Sequence, residues 1–241
     1  FARGEVLPGA AERDKTHEFP ASLVQQMGEL GFMGMFVDPE YGGSGMDVLS
    51  YVLALEEICY ADAGTGIIMS VNNSLVCWPL MSFGTHDQKV KYLAPLASGE
   101  KLGCYALTEP NAGSDLASLK CRAERDGDHY VINGRKVWTS DAMDCDYIFI
   151  LARTDPDAPQ HLGISLILVD MHQVGVQVSP IRLLSGASPF NETVFENALA
   201  SADDVIGGVN NGWTVGKRLL QFERSTHAGI NTSGSQGGRT S

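Results

Sequence analysis

Between residues 48 and 59 the apolar side chains Val48, Tyr51, Val52, Leu55, Ile58 and Cys59 recur at helical spacing, with Glu56 and Glu57 on the opposite side. Leu23, Met27 and Leu30 repeat the pattern. Thr85 followed by Gln88 reads as a capping box opening a helix through Lys89, Val90, Leu93 and Leu96. Between these helices Pro39-Glu40-Tyr41-Gly42-Gly43-Ser44-Gly45 is too punctuated to be helical and reads as a structural loop. From about Leu102 the period changes. Alternating Leu119, Cys121 and Ala123 lead to Asp126-Gly127, then Tyr130-Val131-Ile132, Asn133-Gly134 and Lys136-Val137-Trp138. Two Asx-Gly pairs between β-rich runs predict two hairpins. Further runs at Tyr147 to Leu151, Ile164 to Val169 and Val174 to Val178 extend the strand region. The pattern predicts a compact antiparallel sheet, barrel or sandwich ending near Ala200. After Gly212 the helical period returns through Val215, Leu219 and Phe222. The class is therefore α+β: a helical domain over 1–102, a β-domain over 103–205, and the start of a second helical domain over 206–241.

At 241 residues and 44% hydrophobic the chain has enough apolar surface to bury a real core. A formal charge of −12 repels phosphate backbones and acidic lipid, which argues against nucleic-acid and peripheral membrane partners. The five cysteines, 59, 77, 104, 121 and 145, are widely spaced with no CxxC pair and no nearby His at ligand spacing. A reduced, intracellular chain without a metal site is expected. The longest apolar stretches, such as Gly66 to Val71, fall short of a membrane span, and no signal-peptide pattern opens the chain. A start at Phe1 and an end soon after a helical pattern begins suggest a fragment cut at both ends.

Nucleotide signals are weak. Gly43-Ser44-Gly45 and Gly64-Thr65-Gly66 lack a third glycine, and no GKT or GKS follows a strand, so Rossmann and P-loop readings fail. HExxH and GxSxG are absent. What stands out is Ala106-Leu107-Thr108-Glu109-Pro110-Asn111-Ala112-Gly113-Ser114-Asp115-Leu116-Ala117-Ser118, a loop after a strand whose hydroxyls and backbone N–H groups suit a polar edge or a phosphate. Glu109, preceding proline, is biased to an extended conformation, which puts the turn on Pro110 to Gly113. Taken singly, Thr108 and Ser114 are equally turn formers, Trp138 a core tryptophan, and Glu109 and Asp115 turn or capping groups.

The loop closely resembles the flavin-loop signature of acyl-CoA dehydrogenases. PEYGGSG at 39–45, INGRKVWTSDA at 132–142 and LLQFERS at 219–225 follow in that family's order and spacing, so the resemblance covers essentially the whole chain. It implies a helical N-terminal domain, a central β-domain and the first helix of a C-terminal four-helix domain. It implies FAD against the β-domain, with Tyr105, Leu107, Thr108, Gly113 and Ser114 on one loop and Trp138, Thr139 and Ser140 on the other. Gly113 would admit close backbone approach to the pyrophosphate near Ser114, Thr108 and Ser140 would serve the ring's polar edge, and Trp138 would cover it.

The implied reaction is α,β-dehydrogenation of an acyl-CoA thioester, with electrons passed to an electron-transferring flavoprotein. The implied whole protein is a soluble homo-oligomer, dimer or tetramer, of the bacterial cytoplasm or mitochondrial matrix. Ser114 and Arg224 are the substrate-contact candidates. Glu223 matches the position where a minority of the family carries its catalytic base, and its helical phase sets it in the arc of Val215, Leu219 and Phe222. Burial there raises a carboxylate's pKa, as a base acting on a weak carbon acid requires. Two alternatives stay open: a non-catalytic flavin-binding fragment or subunit dependent on another chain, and an acyl-CoA oxidase-like relative. This chain by itself is expected to be inactive.

Overall fold

The computed structural model describes residues 1–227, with side chains described through residue 221. Its helices before the sheet are α1 (Ala10–Thr16), α2 (Ala21–Glu29), α3 (Val48–Ala61), α4 (Ala63–Val71), α5 (Trp78–Phe83), α6 (His86–Gln88) and α7 (Ala94–Ala97). Asp62 makes the sharp joint between α3 and α4. It ends α3 in an extended conformation, and its carboxylate accepts the N–H groups of Gly64 and Thr65 that α4 would leave orphaned. Arg13 Nε donates to the same carboxylate over 2.7 Å, tying α1 to the joint. The expected capping box is formed, with Gln88 N–H donating to Thr85 Oγ1 and Thr85 N–H donating to Gln88 Oε1.

Both expected helices form, as α2 and α3, with buried faces narrower than their apolar runs. The apolar positions of α3 outnumber its buried ones: Tyr51 and Ile58 are buried, whereas Val48 and Val52 are exposed. Leu30 lies at the end of α2 and is exposed too, while Leu23 and Met27 are buried. Periodicity marks a candidate face, but which part is covered depends on what packs there. The expectation about apolar length needs correction. Helix α4, the π-helical stretch Asn72–Cys77 and α5 run on as one helix, Ala63–Phe83, whose 21 residues are long and apolar enough to cross a membrane by those criteria alone. Here it is a core helix. Asn72 Nδ2 donates to the carbonyls of Met33 and Leu96, and Asn73 Nδ2 to those of Phe32 and Met69, so its buried amides clamp neighbouring backbone.

The sheet comprises β1 (Gly103–Ala106), β2 (Arg122–Asp126), β3 (His129–Ser140), β4 (Tyr147–Arg153), β5 (Ile164–Asp170), β6 (Val176–Ile181), β7 (Phe190–Ser201) and β8 (Val205–Ile206). Its order is β6-β7-β3-β2-β4-β5-β8, with β1 beside β4. Most neighbours are antiparallel, as expected, but β1 runs parallel to β4 from Gly103↔Tyr147 to Ala106↔Ile150, and β2 meets β4 in parallel at Arg122↔Arg153. The sheet is thus mixed.

Only the first Asx-Gly pair makes a hairpin turn, joining β2 and β3 through Gly127 (φ 61°). Asn133-Gly134 lies inside β3. There the register against β7 slips between Ile132↔Ala198 and Gly134↔Phe195, so the extra residue is on β7, where Asn197 takes φ 53°. The two asparagines bracket this bulge, with Asn133 Nδ2 donating to Asn197 Oδ1 and Asn197 N–H donating to Asn133 Oδ1. Gly134 is needed for proximity, since a Cβ there would stand 2.7 Å from Cys121.

Strands β4 and β5 are buried on both faces. Ile148, Ile150, Ile167 and Val169 point into the core enclosed by the curled sheet with Ile132, Phe195 and Ala198. Phe149, Leu151, Leu166 and Leu168 point the other way and pack against Val76, Leu80, Leu93 and Leu96 of the helical region. This two-sided burial makes their sequences continuous apolar runs rather than alternating ones. Helix α8 (Gly212–His227) leaves the sheet, lays Val215 into the second of these cores and buries Leu219.

Candidate cofactor cleft

A cleft of about 450 Å³ opens between the helical region and the sheet. Its apolar wall is Ile67, Ile68, Val71 and Leu75 of the long helix, facing Leu102 to Tyr105 of the β1 segment, with Leu219 and Leu220 of α8 at one side. Five of the sequence-implied cofactor residues line it: Tyr105, Leu107, Thr108, Trp138 and Ser140. Three do not. Gly113 and Ser114 are exposed on the loop, and nothing within 4 Å would meet a Cβ at Gly113. Thr139 is buried in the sheet, and its hydroxyl has no partner among the described residues. Any contribution from Thr139 to a ligand in the cleft would come from its backbone. Glu223 and Arg224 are positions of α8 whose side chains lie outside the described residues.

The loop turns where proline directs it. Glu109 and Ala112 exchange two backbone hydrogen bonds of 3.1 Å around Pro110-Asn111. Glu109 is structural, and its setting was not legible in the chain. It is buried, accepts from the N–H groups of Lys120 at 2.7 Å and Cys121 at 2.9 Å, and takes a third bond of 2.8 Å from Lys136 Nζ. Lys136 is wholly buried and also donates to the Leu107 carbonyl. Beside it, Val137 N–H donates to the Thr108 carbonyl. The far end of the loop is held by Arg153, which donates to the carbonyls of Ala117 and Leu119.

Immediately after Lys136, strand β3 bulges. Its partners pass from Lys136↔Thr193 to Thr139↔Asn191, one more residue on β3 than on β7, and Trp138 takes the left-handed conformation at φ 68°. A β-bulge redirects a side chain out of the strand's alternation. Trp138 therefore stands edge-on to Phe190, with ring centroids 6.0 Å apart, and remains 54% exposed over the cleft. Non-glycine residues with positive φ cluster where a site constrains the backbone, and Asp141 (φ 50°), one residue beyond Ser140, is a second case. Among the described residues, Asp141 is the one lining residue with a formally charged side chain. Burial, with Asp144 nearby, pushes its carboxyl above the ordinary range. The Cys145 thiol on the same wall is raised by its contact with Cys104 and by burial, and all five cysteines are free.

The acyl-CoA dehydrogenase N-terminal domain model matches residues 1–100, and the middle domain model of the same family matches residues 104–198. The chain belongs to the acyl-CoA dehydrogenase family. It is 40% identical over 226 residues to the mitochondrial short-chain specific acyl-CoA dehydrogenase of Bos taurus, covering 93% of this chain and 55% of that protein. A short-chain specific acyl-CoA dehydrogenase of Clostridium acetobutylicum is likewise 40% identical over 226 residues, covering 93% of this chain and 59% of that protein. Among solved structures, butyryl-CoA dehydrogenase from Megasphaera elsdenii superposes with a TM-score of 0.86 at 32% identity, covering 94% of this chain and 61% of that one. The chain thus spans little more than half the length of the curated relatives it matches. Membership in this family of oxidoreductases bears out the resemblance read from the loop and hairpin motifs.

Proposed function

We propose that this chain is the cofactor-facing part of an FAD-dependent acyl-CoA dehydrogenase acting on short acyl thioesters. The observation that carries the reading is the juxtaposition of Thr108, Ser140 and the half-exposed Trp138 ring across one apolar cleft. A flat heteroaromatic ring with polar edges fits this donor set. The hydroxyls can donate to or accept from its edge, the indole can cover its face, and the aliphatic wall excludes water. FAD, when bound, would supply an acceptor for the β-hydride and an outlet for its electrons to an electron-transferring flavoprotein.

The chain's own residues orient and exclude. Leu107 and Thr108 are held by their carbonyls to Lys136 and Val137, which leaves the Thr108 side chain to face the cleft. Gly113 and Ser114, exposed and unobstructed on the same loop, suit the cofactor's pyrophosphate, and Thr139 serves through its backbone. The short apolar wall of Ile67, Ile68, Val71 and Leu75 suits a small acyl group, in line with the short-chain and butyryl relatives. Glu223 is proposed as the base and Arg224 as a contact to the CoA portion. Supporting this, Leu219 and Leu220 line the cleft, and residues three and four positions further on share their helix face. The whole protein is proposed to be a homo-oligomer.

The test uses a protein that continues this chain to the full length of its relatives. It should purify yellow, and Glu223→Gln should slow single-turnover reduction by butyryl-CoA by about 10²- to 10⁴-fold. A colourless protein that takes up no FAD on reconstitution overturns the cofactor reading. Near-normal reduction by the variant removes Glu223 from the role of base.

A further inference from the structure

Lys136 and Glu109 are a buried ion pair, 2.8 Å apart, that the proposed chemistry does not use. Such a pair is an odd way to stabilise a sheet. Removing both charges from water costs several kcal/mol per ion, and well-packed apolar residues of similar volume serve a fold as well or better. What distinguishes this pair is its place. Lys136 Nζ reaches the Leu107 carbonyl at 3.0 Å as well as Glu109, while the neighbouring Val137 N–H takes the Thr108 carbonyl at 3.0 Å. Glu109 in turn closes the loop by accepting from Lys120 and Cys121. Residues 107 and 108 line one part of the cleft and residues 137, 138 and 140 another, so these bonds bridge the two lining segments. Lys136 is also the last regularly paired residue before the bulge that turns Trp138 outward.

We infer that the Lys136–Glu109 pair is a positioning device, which sets the spacing of the two cleft-lining segments so that Thr108, Trp138 and Ser140 address one ligand together. The inference rests on the cleft being the FAD site. An ammonium with three donors donates to a carbonyl and a carboxylate at once, and no apolar side chain can make that bridge. The function of the pair is therefore separable from its contribution to folding.

The experiment compares the wild type, Lys136→Met, Glu109→Gln and the double variant in the full-length protein. In the double variant methionine fills the aliphatic volume, and glutamine's one oxygen keeps an acceptor for one of the Lys120 and Cys121 N–H groups, which bond different oxygens of Glu109, so neither charge is stranded. The FAD-free double variant should melt above either single variant, each of which strands a buried charge. Its FAD affinity should nonetheless fall by about 10- to 100-fold, the scale seen when a residue that orients metal ligands is lost, and the visible circular dichroism of the bound flavin should change. Unchanged affinity overturns the inference. So does a loss of affinity that merely tracks loss of FAD-free melting temperature across all three variants. A wild type that takes up no FAD overturns the function proposed above instead. The pair is then judged by acrylamide quenching of Trp138 fluorescence in a background where every other tryptophan of the full-length protein, Trp78 and Trp213 included, is replaced by phenylalanine; the double variant should differ from its parent, and identical quenching overturns the inference.

Discussion

Tyr92 donates its phenol proton to Asp204 over 2.6 Å, and both side chains are buried where the helical region meets the sheet. Asp204 also accepts from Lys91 and from the Ser201 N–H, while Gln88 Nε2 donates to the carbonyls of Asp203 and Val205. The helix opened by the Thr85 capping box is thus bonded to β8 and the turn before it. Tyr92→Phe removes one charge-assisted hydrogen bond and keeps the ring. The expected loss is about 1.5–3 kcal/mol of unfolding free energy, measured by urea denaturation, and an unchanged midpoint would show the bond to be redundant.

The α3–α4 joint should contribute to acid sensitivity. Burial raises the Asp62 carboxyl, but hydrogen bonds from Arg13 and Thr65 and the Arg13 charge outweigh it, so its folded pKa lies below the ordinary value. The folded state then binds a proton less readily than the unfolded one. The stabilisation is present above the unfolded pKa of about 4 and is lost as pH falls through the depressed folded value. Asp62→Asn should lower stability at neutral pH and flatten its fall in acid, read from denaturation midpoints across that range.

Asp141 should show the opposite sign. Its carboxyl is raised by burial and by Asp144, so the charged form is disfavoured in the folded state and stability falls as pH rises through the carboxylate range. Asp141→Asn should raise the melting temperature at neutral pH and have little effect in acid, because asparagine tolerates the left-handed backbone at this position. A neutral-pH melting temperature at or below that of wild type would contradict this account.

Gly134→Ala should cost about 1–3 kcal/mol, the usual range for overpacking. Its Cβ would sit 2.7 Å from the Cys121 Cα, Cβ and Sγ atoms, and backbone on one side cannot move aside cheaply. The Asn133–Asn197 bracket should weaken with it. Thermal unfolding of the variant checks this directly.

Ser140→Ala removes one hydroxyl from the cleft without touching the bulge. If Ser140 bonds the cofactor, FAD affinity in the full-length protein should fall by about 0.5–1.5 kcal/mol. Wild-type affinity together with wild-type reduction kinetics would take Ser140 out of the site.

The local code in this chain was readable where it depends on neighbours in sequence. The Thr85–Gln88 box, the Gly127 turn, the Pro110-Asn111 turn and the strands at 147–153 and 164–170 each follow from spacing, φ preference or an apolar run. The family, too, was legible from motifs that keep their order. Tertiary structure decided what depends on distant partners. Asn133-Gly134 looks like a turn, yet becomes strand because β7 supplies a bulge opposite it, and β1 joins β4 in parallel through a pairing more than 40 residues away in the chain. Glu109 reads as a turn or capping residue and Lys136 as one position of a strand-forming run. Only folding brings them within 2.8 Å, where each makes the other's burial tolerable. The same holds for Thr139, whose sequence neighbours line the cleft while it points into the sheet. Hydrophobic period and turn chemistry are short-range properties, whereas burial, charge pairing and the facing of a cleft are set by what the rest of the chain packs alongside.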